Sequence, residues 1–171
     1  MINNLVLLGM MSVGKTTLGK IVAKKLNLEF IDIDSSVEKE NSMKIKKIFE
    51  KKGEAFFRKE EEKQTLKYLR EKDYIIALGG GAFINNALRK EILKNNISIW
   101  LDVNIKTLNR RISFNQKRPL LDTQNYQKKL KKIYDERKPI YKLANHRIAC
   151  NNLSKNDIAE KIIILYEKYK N

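Results

Sequence analysis

Gly9-Met10-Met11-Ser12-Val13-Gly14-Lys15-Thr16 decides how the rest of this 171-residue chain is read. The stretch has the spacing G-x-x-x-x-G-K-[ST], follows the apolar run Leu5-Val6-Leu7-Leu8, and opens a segment patterned as a helix. A loop in that context is a phosphate cradle, because its backbone N–H groups turn inward around an anion. The start of the following helix adds its positive end to the same place. Gly9 and Gly14 permit the curvature and close approach that a Cβ would obstruct. Met11, Ser12, Val13, Gly14, Lys15, Thr16 and Thr17 then surround a nucleoside triphosphate. Lys15 places its ammonium on the β and γ phosphates, and the Thr16 hydroxyl ligates Mg²⁺.

Outward from this loop, strand and helix patterns alternate. Short apolar runs at 5–8, 29–33, 74–78, 97–102 and 146–150 read as strands covered on both faces. Helical patterns fall between them at about 15–26, 35–51, 54–71, 86–95, 105–114 and 126–144, with a last one at 157–169. Ser154 and Asp157 form a capping box ahead of that last helix. Such alternation predicts a doubly wound α/β fold with a parallel sheet, here as one domain over 1–171. Two insertions stand out: a charged helical stretch after the second strand, at about 33–72, and a polar segment at about 113–123. Ligands bind at the carboxyl ends of strands in such sheets, so the first is expected to receive a substrate and the second to form a lid.

Composition limits the function classes. No apolar run approaches the roughly 18 residues of a membrane span. The apolar start runs straight into the phosphate loop, so it is expected to be a strand and not a signal peptide. Cys150 is the single cysteine, which excludes an internal disulfide and fits a reducing cytoplasm; at a strand end it reads as a small buried filler. The net charge of +16 is mostly lysine spread over every helix, and no aromatic-interleaved basic motif accompanies it. It therefore reads as solvated surface with some steering of anionic substrates, without a nucleic-acid or membrane partner. We expect a monomer. Only eight arginines stand against 28 lysines, which makes each arginine informative. A planar fork for carboxylate or phosphate is what arginine offers and lysine does not. Arg58, Arg111, Arg118 and Arg137 lie beside other motif-like residues, Arg110 is ambiguous, and Arg70, Arg89 and Arg147 look incidental.

Further groups carry chemistry. Phe30-Ile31-Asp32-Ile33-Asp34 ends the second strand with two carboxylates that a period of two puts on one face. Asp32 suits Mg²⁺, and Asp34 reaches outward to the phosphoryl acceptor. Gly79-Gly80-Gly81 follows the third strand directly and offers backbone N–H groups without side-chain obstruction. Arg58 and Glu61, three apart on a helix, can touch, which would orient the guanidinium. Arg118-Pro119-Leu120-Leu121 lies in the candidate lid, where its arginine could swing over the phosphates.

In this order the motifs resemble those of the shikimate kinase family over nearly the whole chain. The resemblance rests on the phosphate loop, Asp32-x-Asp34, Gly53-Glu54 with Phe57-Arg58-x-x-Glu61, Gly79-Gly80-Gly81, Arg118-Pro119-Leu120-Leu121 and Arg137-x-x-x-Tyr141. It implies a P-loop kinase fold, a five-stranded parallel sheet between helices like that of nucleoside monophosphate kinases. It also implies transfer of the ATP γ-phosphoryl group to the 3-hydroxyl of shikimate, in chorismate and aromatic amino acid biosynthesis. Arg58 and Arg137 would hold the substrate carboxylate, Asp34 would bind ring hydroxyls and act as base, and Gly79, Gly80 and Gly81 would contribute backbone donors. Lys15 and Arg118 would stabilise the transferring group, Thr16 and Asp32 would manage Mg²⁺, and Arg111 would stack on adenine. Three places depart from the family pattern: Met11-Ser12 in the loop, Asn41-Ser42-Met43, and Asn151-Asn152-Leu153-Ser154 on the adenine side.

Other readings fit less of the chain. A gluconate or nucleoside monophosphate kinase shares the loop and sheet but is not expected to combine the triple glycine with Asp34, Arg58 and Arg137. A small GTPase calls for an N-K-x-D guanine signature, which the sequence lacks.

Overall fold

The computed structural model describes residues 3–114 and 125–170. Five strands form one parallel sheet in the order β2-β3-β1-β4-β5: β1 (Asn4–Leu8), β2 (Glu29–Asp32), β3 (Tyr74–Ala77), β4 (Asn96–Asp102) and β5 (His146–Ala149). All residues of β1 and β4 are buried, which is why both read as continuous apolar runs rather than alternating ones. Register places Leu5 between Ile75 and Ile97, and Leu7 between Ala77 and Ile99.

The helices are α1 (Lys15–Leu26), α2 (Ile33–Glu40), α3 (Ile45–Arg70), α4 (Asn86–Asn95), α5 (Ile105–Phe114), α6 (Tyr126–Tyr141) and α7 (Lys155–Lys170). α1 and α7 pack on each other and against the strands, while α6 packs on the short 3₁₀ turn Ala82–Ile84 that follows β3. The capping box of α7 is present: Asp157 N–H donates to Ser154 Oγ and Ser154 N–H to Asp157 Oδ2, both at 3.1 Å. Among the described residues no helix is long and apolar enough to cross a membrane. Cys150 is buried, and burial, ahead of the nearby Asp102 charge, pushes its thiol up to about 11, as suits a filler.

The region after β2 departs from expectation. The strand does not run to Ile33 and no single helix covers 35–51. Asp32 closes the strand and caps α2, its Oδ1 accepting the Ser35 N–H at 3.2 Å, so the chain turns into a helix at once. Asp34 therefore stands in the first turn of α2 and not on a strand face with Asp32. α2 ends at Asn41, Ser42 takes a φ of 48°, and α3 begins at Ile45. Gly53, with φ 80° and ψ 170°, interrupts α3, as the separate patterns on either side of it suggested. At the other end, α6 stops at Tyr141 rather than 144, with Pro139 inside its last turn.

Candidate active site

The phosphate loop leaves β1 through Gly9, whose φ of 143° and proximity to β4 both demand glycine: a Cβ there would stand 2.7 Å from the Leu101 carbonyl oxygen. Gly14, in the left-handed region, is the residue before α1. Lys15 Nζ arches back over the loop and donates to the carbonyls of Gly9 and Met10, both at 2.9 Å. An ammonium so placed is centred on the cradle it is expected to serve. Thr16 Oγ1 donates to Asp32 Oδ2 at 2.5 Å, which joins the start of α1 to the end of β2. Arg111 Nη1 donates to the carbonyls of Val13 at 3.2 Å and Ser12 at 3.4 Å. α5 thus braces the loop through two of its carbonyls.

A cleft of about 700 Å³ runs over this loop. Residues 11–18 form its floor, Asp32, Asp34 and Gly80 one end, and Arg110, Arg111, Leu153 and Lys155 the other. The segment containing Leu153 and Lys155 is the one whose sequence departs from the family's adenine-side pattern.

At the first end the three glycines show why they are glycines. None of them needs a positive φ. Each instead leaves room for a charged side chain. A Cβ on Gly79 would overlap Glu61 Oε1 and stand 2.7 Å from Asp34 Oδ1. One on Gly80 would stand 2.9 Å from Arg137 Nη1, and one on Gly81 2.6 Å from Arg58 Nη1. Side chains from α2, α3 and α6 thus converge on a backbone stripped of its own side chains at the carboxyl end of β3.

Arg58 is held as its spacing from Glu61 suggested. Nη1 donates to Glu61 Oε2 at 2.8 Å, and Nε and Nη2 donate to Glu54 Oε1 at 3.3 and 3.2 Å. Glu61 is 2% exposed, and its other oxygen, Oε1, has no hydrogen-bond partner among the described residues. Burial pushes the Glu61 carboxyl up, Arg58 opposes this, and the Asp34 charge adds to it. Together with Glu54 it engages Nε, Nη1 and Nη2, which fixes the orientation of the guanidinium.

Arg118 and residues 115–123 of the expected lid lie outside the described residues. The other expected site residues, from the loop, β2, α2, α3, the triple glycine, α5 and α6, are brought to the carboxyl end of the sheet. Two arginines that looked incidental have work at its edges. Arg89 donates to the carbonyls of Phe83 (3.0 Å) and Ile84 (3.2 Å), bracing the 3₁₀ turn behind Gly81. Arg147 pairs through Nε (2.8 Å) and Nη2 (2.7 Å) with Asp102, buried at the end of β4. The scarcity of arginine was a signal for both.

Comparisons with known proteins agree with this geometry. The family model described as shikimate kinase matches residues 11–167. The shikimate kinase of Sulfurihydrogenibium sp. (strain YO3AOP1) is 41% identical over 160 residues, covering 94% of this chain and 95% of that protein. The shikimate kinase of Bacillus subtilis (strain 168) is also 41% identical, over 162 residues, 94% of this chain and 87% of that protein. Among solved structures, shikimate kinase from Acinetobacter baumannii in complex with shikimate superposes with a TM-score of 0.91 at 32% identity, covering 99% of this chain and 95% of that one. With the motif order, the sheet and the family match in agreement, the chain belongs to the shikimate kinase family.

Proposed function

We propose that this chain transfers the γ-phosphoryl group of Mg·ATP to the 3-hydroxyl of shikimate, giving shikimate 3-phosphate and ADP. The observation that carries the reading is the convergence of Asp34, Arg58 and Arg137 on Gly79-Gly80-Gly81, directly beside the phosphate loop. Two guanidiniums and one carboxylate around bare backbone suit a small, rigid acid that also bears hydroxyls. The arginines take its carboxylate by bidentate contact, and Asp34 and the glycine N–H groups take hydroxyls. Binding both substrates in one cleft supplies most of the rate in phosphoryl transfer, since no covalent intermediate on the protein is needed.

Lys15 holds the β and γ phosphates and spreads the charge that develops on the transferring group. Thr16 and Asp32 present two hard oxygens 2.5 Å apart, the donor set that Mg²⁺ takes together with water and phosphate oxygens. Bound there, the ion would neutralise phosphate charge. Asp34, in the first turn of α2 and lining the same cleft, accepts the proton from the attacking hydroxyl. Arg111, with Leu153 across the cleft, lies on the adenine side, and Arg118 comes from the lid segment. We further propose a single domain acting as a monomer in the cytoplasm, with shikimate and ATP as its partners.

The test is coupled ADP release with Mg·ATP, comparing shikimate with quinate, gluconate and AMP. Turnover should favour shikimate, Arg58→Ala should raise the KM for shikimate at least about a hundredfold, and Asp34→Asn should lower kcat by about the same factor. Preference for another acceptor would discard the substrate. Near-normal kcat in Asp34→Asn would discard the base.

A further inference from the structure

Tyr141 is the last residue of α6, 1% exposed, and its phenol lies under the triple glycine. Its hydroxyl donates to the Gly80 carbonyl. The ring packs beside Trp100 of β4, centroids 6.0 Å apart, and Met10 Sδ lies 4.0 Å from the hydroxyl. Arg137, one helical turn earlier, bears on the same glycine, its Nη1 within 2.9 Å of where a Gly80 Cβ would be. α6 therefore touches Gly80 twice.

The carbonyls of the glycine run show why this contact matters. Gly79 C=O accepts from Ala82 N–H at 3.2 Å and Gly81 C=O from Ile84 N–H at 3.1 Å, both inside the turn itself. The middle carbonyl, that of Gly80, is the one handed to Tyr141. In a planar trans peptide the C=O of Gly80 and the N–H of Gly81 point in opposite directions. A hydroxyl that fixes one fixes the other. The turn's own hydrogen bonds use the N–H groups of Ala82, Ile84 and Asn85 and leave that of Gly81 out. Without Cβ atoms on either side, nothing local prevents the Gly80–Gly81 peptide from rotating.

We infer that Tyr141 is a positioning residue for the acceptor end of the site: its hydroxyl locks the Gly80–Gly81 peptide so that the Gly81 N–H faces the bound acceptor, in step with Arg137 from the same helix. Burial keeps the phenol protonated and able to donate, its pKa being pushed above the ordinary tyrosine value. This inference rests on the shikimate reading for the identity of the acceptor and on the fold alone for the clamp.

Tyr141→Phe keeps the ring and removes the hydroxyl. The expected result is a fall of about tenfold in kcat/KM for shikimate, carried mainly by KM, with the KM for ATP changed less than about twofold. Trp100→Phe, which loosens the packing around the ring but leaves the hydroxyl, should lower Tm without that selectivity. Wild-type shikimate kinetics in Tyr141→Phe, or equal losses for both substrates that track Tm, overturn the clamp. Amide NMR on the free enzyme reads the same clamp without any substrate: the Gly81 N–H resonance should shift or broaden in Tyr141→Phe and stay put in Trp100→Phe. An unmoved Gly81 resonance overturns the inference whatever the acceptor is, whereas a wild-type enzyme inactive on shikimate overturns the substrate reading alone.

Discussion

An alanine methyl at residue 81 would stand 2.6 Å from Arg58 Nη1 and 2.8 Å from its Cζ, at the end of a long side chain that can move. At residue 79 the same methyl would meet Glu61, whose carboxyl is buried and tied to Arg58. The two substitutions should therefore fail differently. Gly81→Ala should displace Arg58, raise the KM for shikimate by about tenfold or more, and lower Tm less than Gly79→Ala does, since Nη1 can move off buried Glu61 only at some cost. Gly79→Ala should lower Tm measurably, because a buried charged pair has nowhere to go. Parallel thermal melts and acceptor titrations distinguish them, and equal Tm losses would sink the distinction. At this scale the sequence was most informative where residue types are scarce: arginine among lysines, and three consecutive glycines. It was least informative for Tyr141, one of seven tyrosines, whose contact with Gly80 spans 61 positions.

Among the elements, the joint between α3 and the sheet depends on Asn4, fully buried at the start of β1. Its Nδ2 donates to the carbonyls of Tyr68 (3.3 Å) and Glu71 (2.9 Å), and its Oδ1 accepts the Tyr74 N–H at 3.0 Å. One side chain thus satisfies the open end of a helix and the start of β3. Asn4→Ala leaves those backbone groups buried and unpaired, an expected loss of about 2–4 kcal/mol. Thermal denaturation should show this as a Tm lower by about 10 °C for a domain of this size. A change under about 2 °C would show that water replaces the amide. The sequence reading began this strand at Leu5, since an asparagine does not match an apolar run. The α2 boundary was missed for a related reason: the apolar pattern runs through Asp32 to Ile33, and the capping bond of Asp32 ends the strand one residue earlier and starts the helix there.

Over the whole molecule, His146 gives stability a pH dependence. It lies on β5 against the edge of the Tyr169 ring, centroids 5.1 Å apart, and its Nε2 is buried without a hydrogen-bond partner among the described residues. Burial first, and the Lys168 charge second, lower its pKa below the ordinary 6.5. The unfolded chain then takes up a proton before the folded one does. Stability contributed by the neutral ring is complete above about pH 6.5, falls as pH drops through that value, and levels off below the folded pKa. Melts of wild type and His146→Phe between about pH 7.5 and 5.5 should diverge, the wild type losing more. Parallel curves would remove His146 from the account.

The sequence by itself determined the phosphate loop, the alternation of strands and helices, and the bounds of α1, α4 and α5. Each of those is a local pattern, legible wherever spacing alone implies geometry: 9–16 for the loop, 5–8 for a strand buried on both faces, 154–157 for a cap. Only the tertiary structure decided the strand order β2-β3-β1-β4-β5, the convergence of α2, α3 and α6 on three glycines, and the placing of Asn4, Arg89, Arg147 and Tyr141 as braces. A continuous apolar run does not state which strands flank it. A buried polar side chain does not state which distant carbonyl it will meet. Both are settled when packing brings remote backbone groups together and each must find a partner.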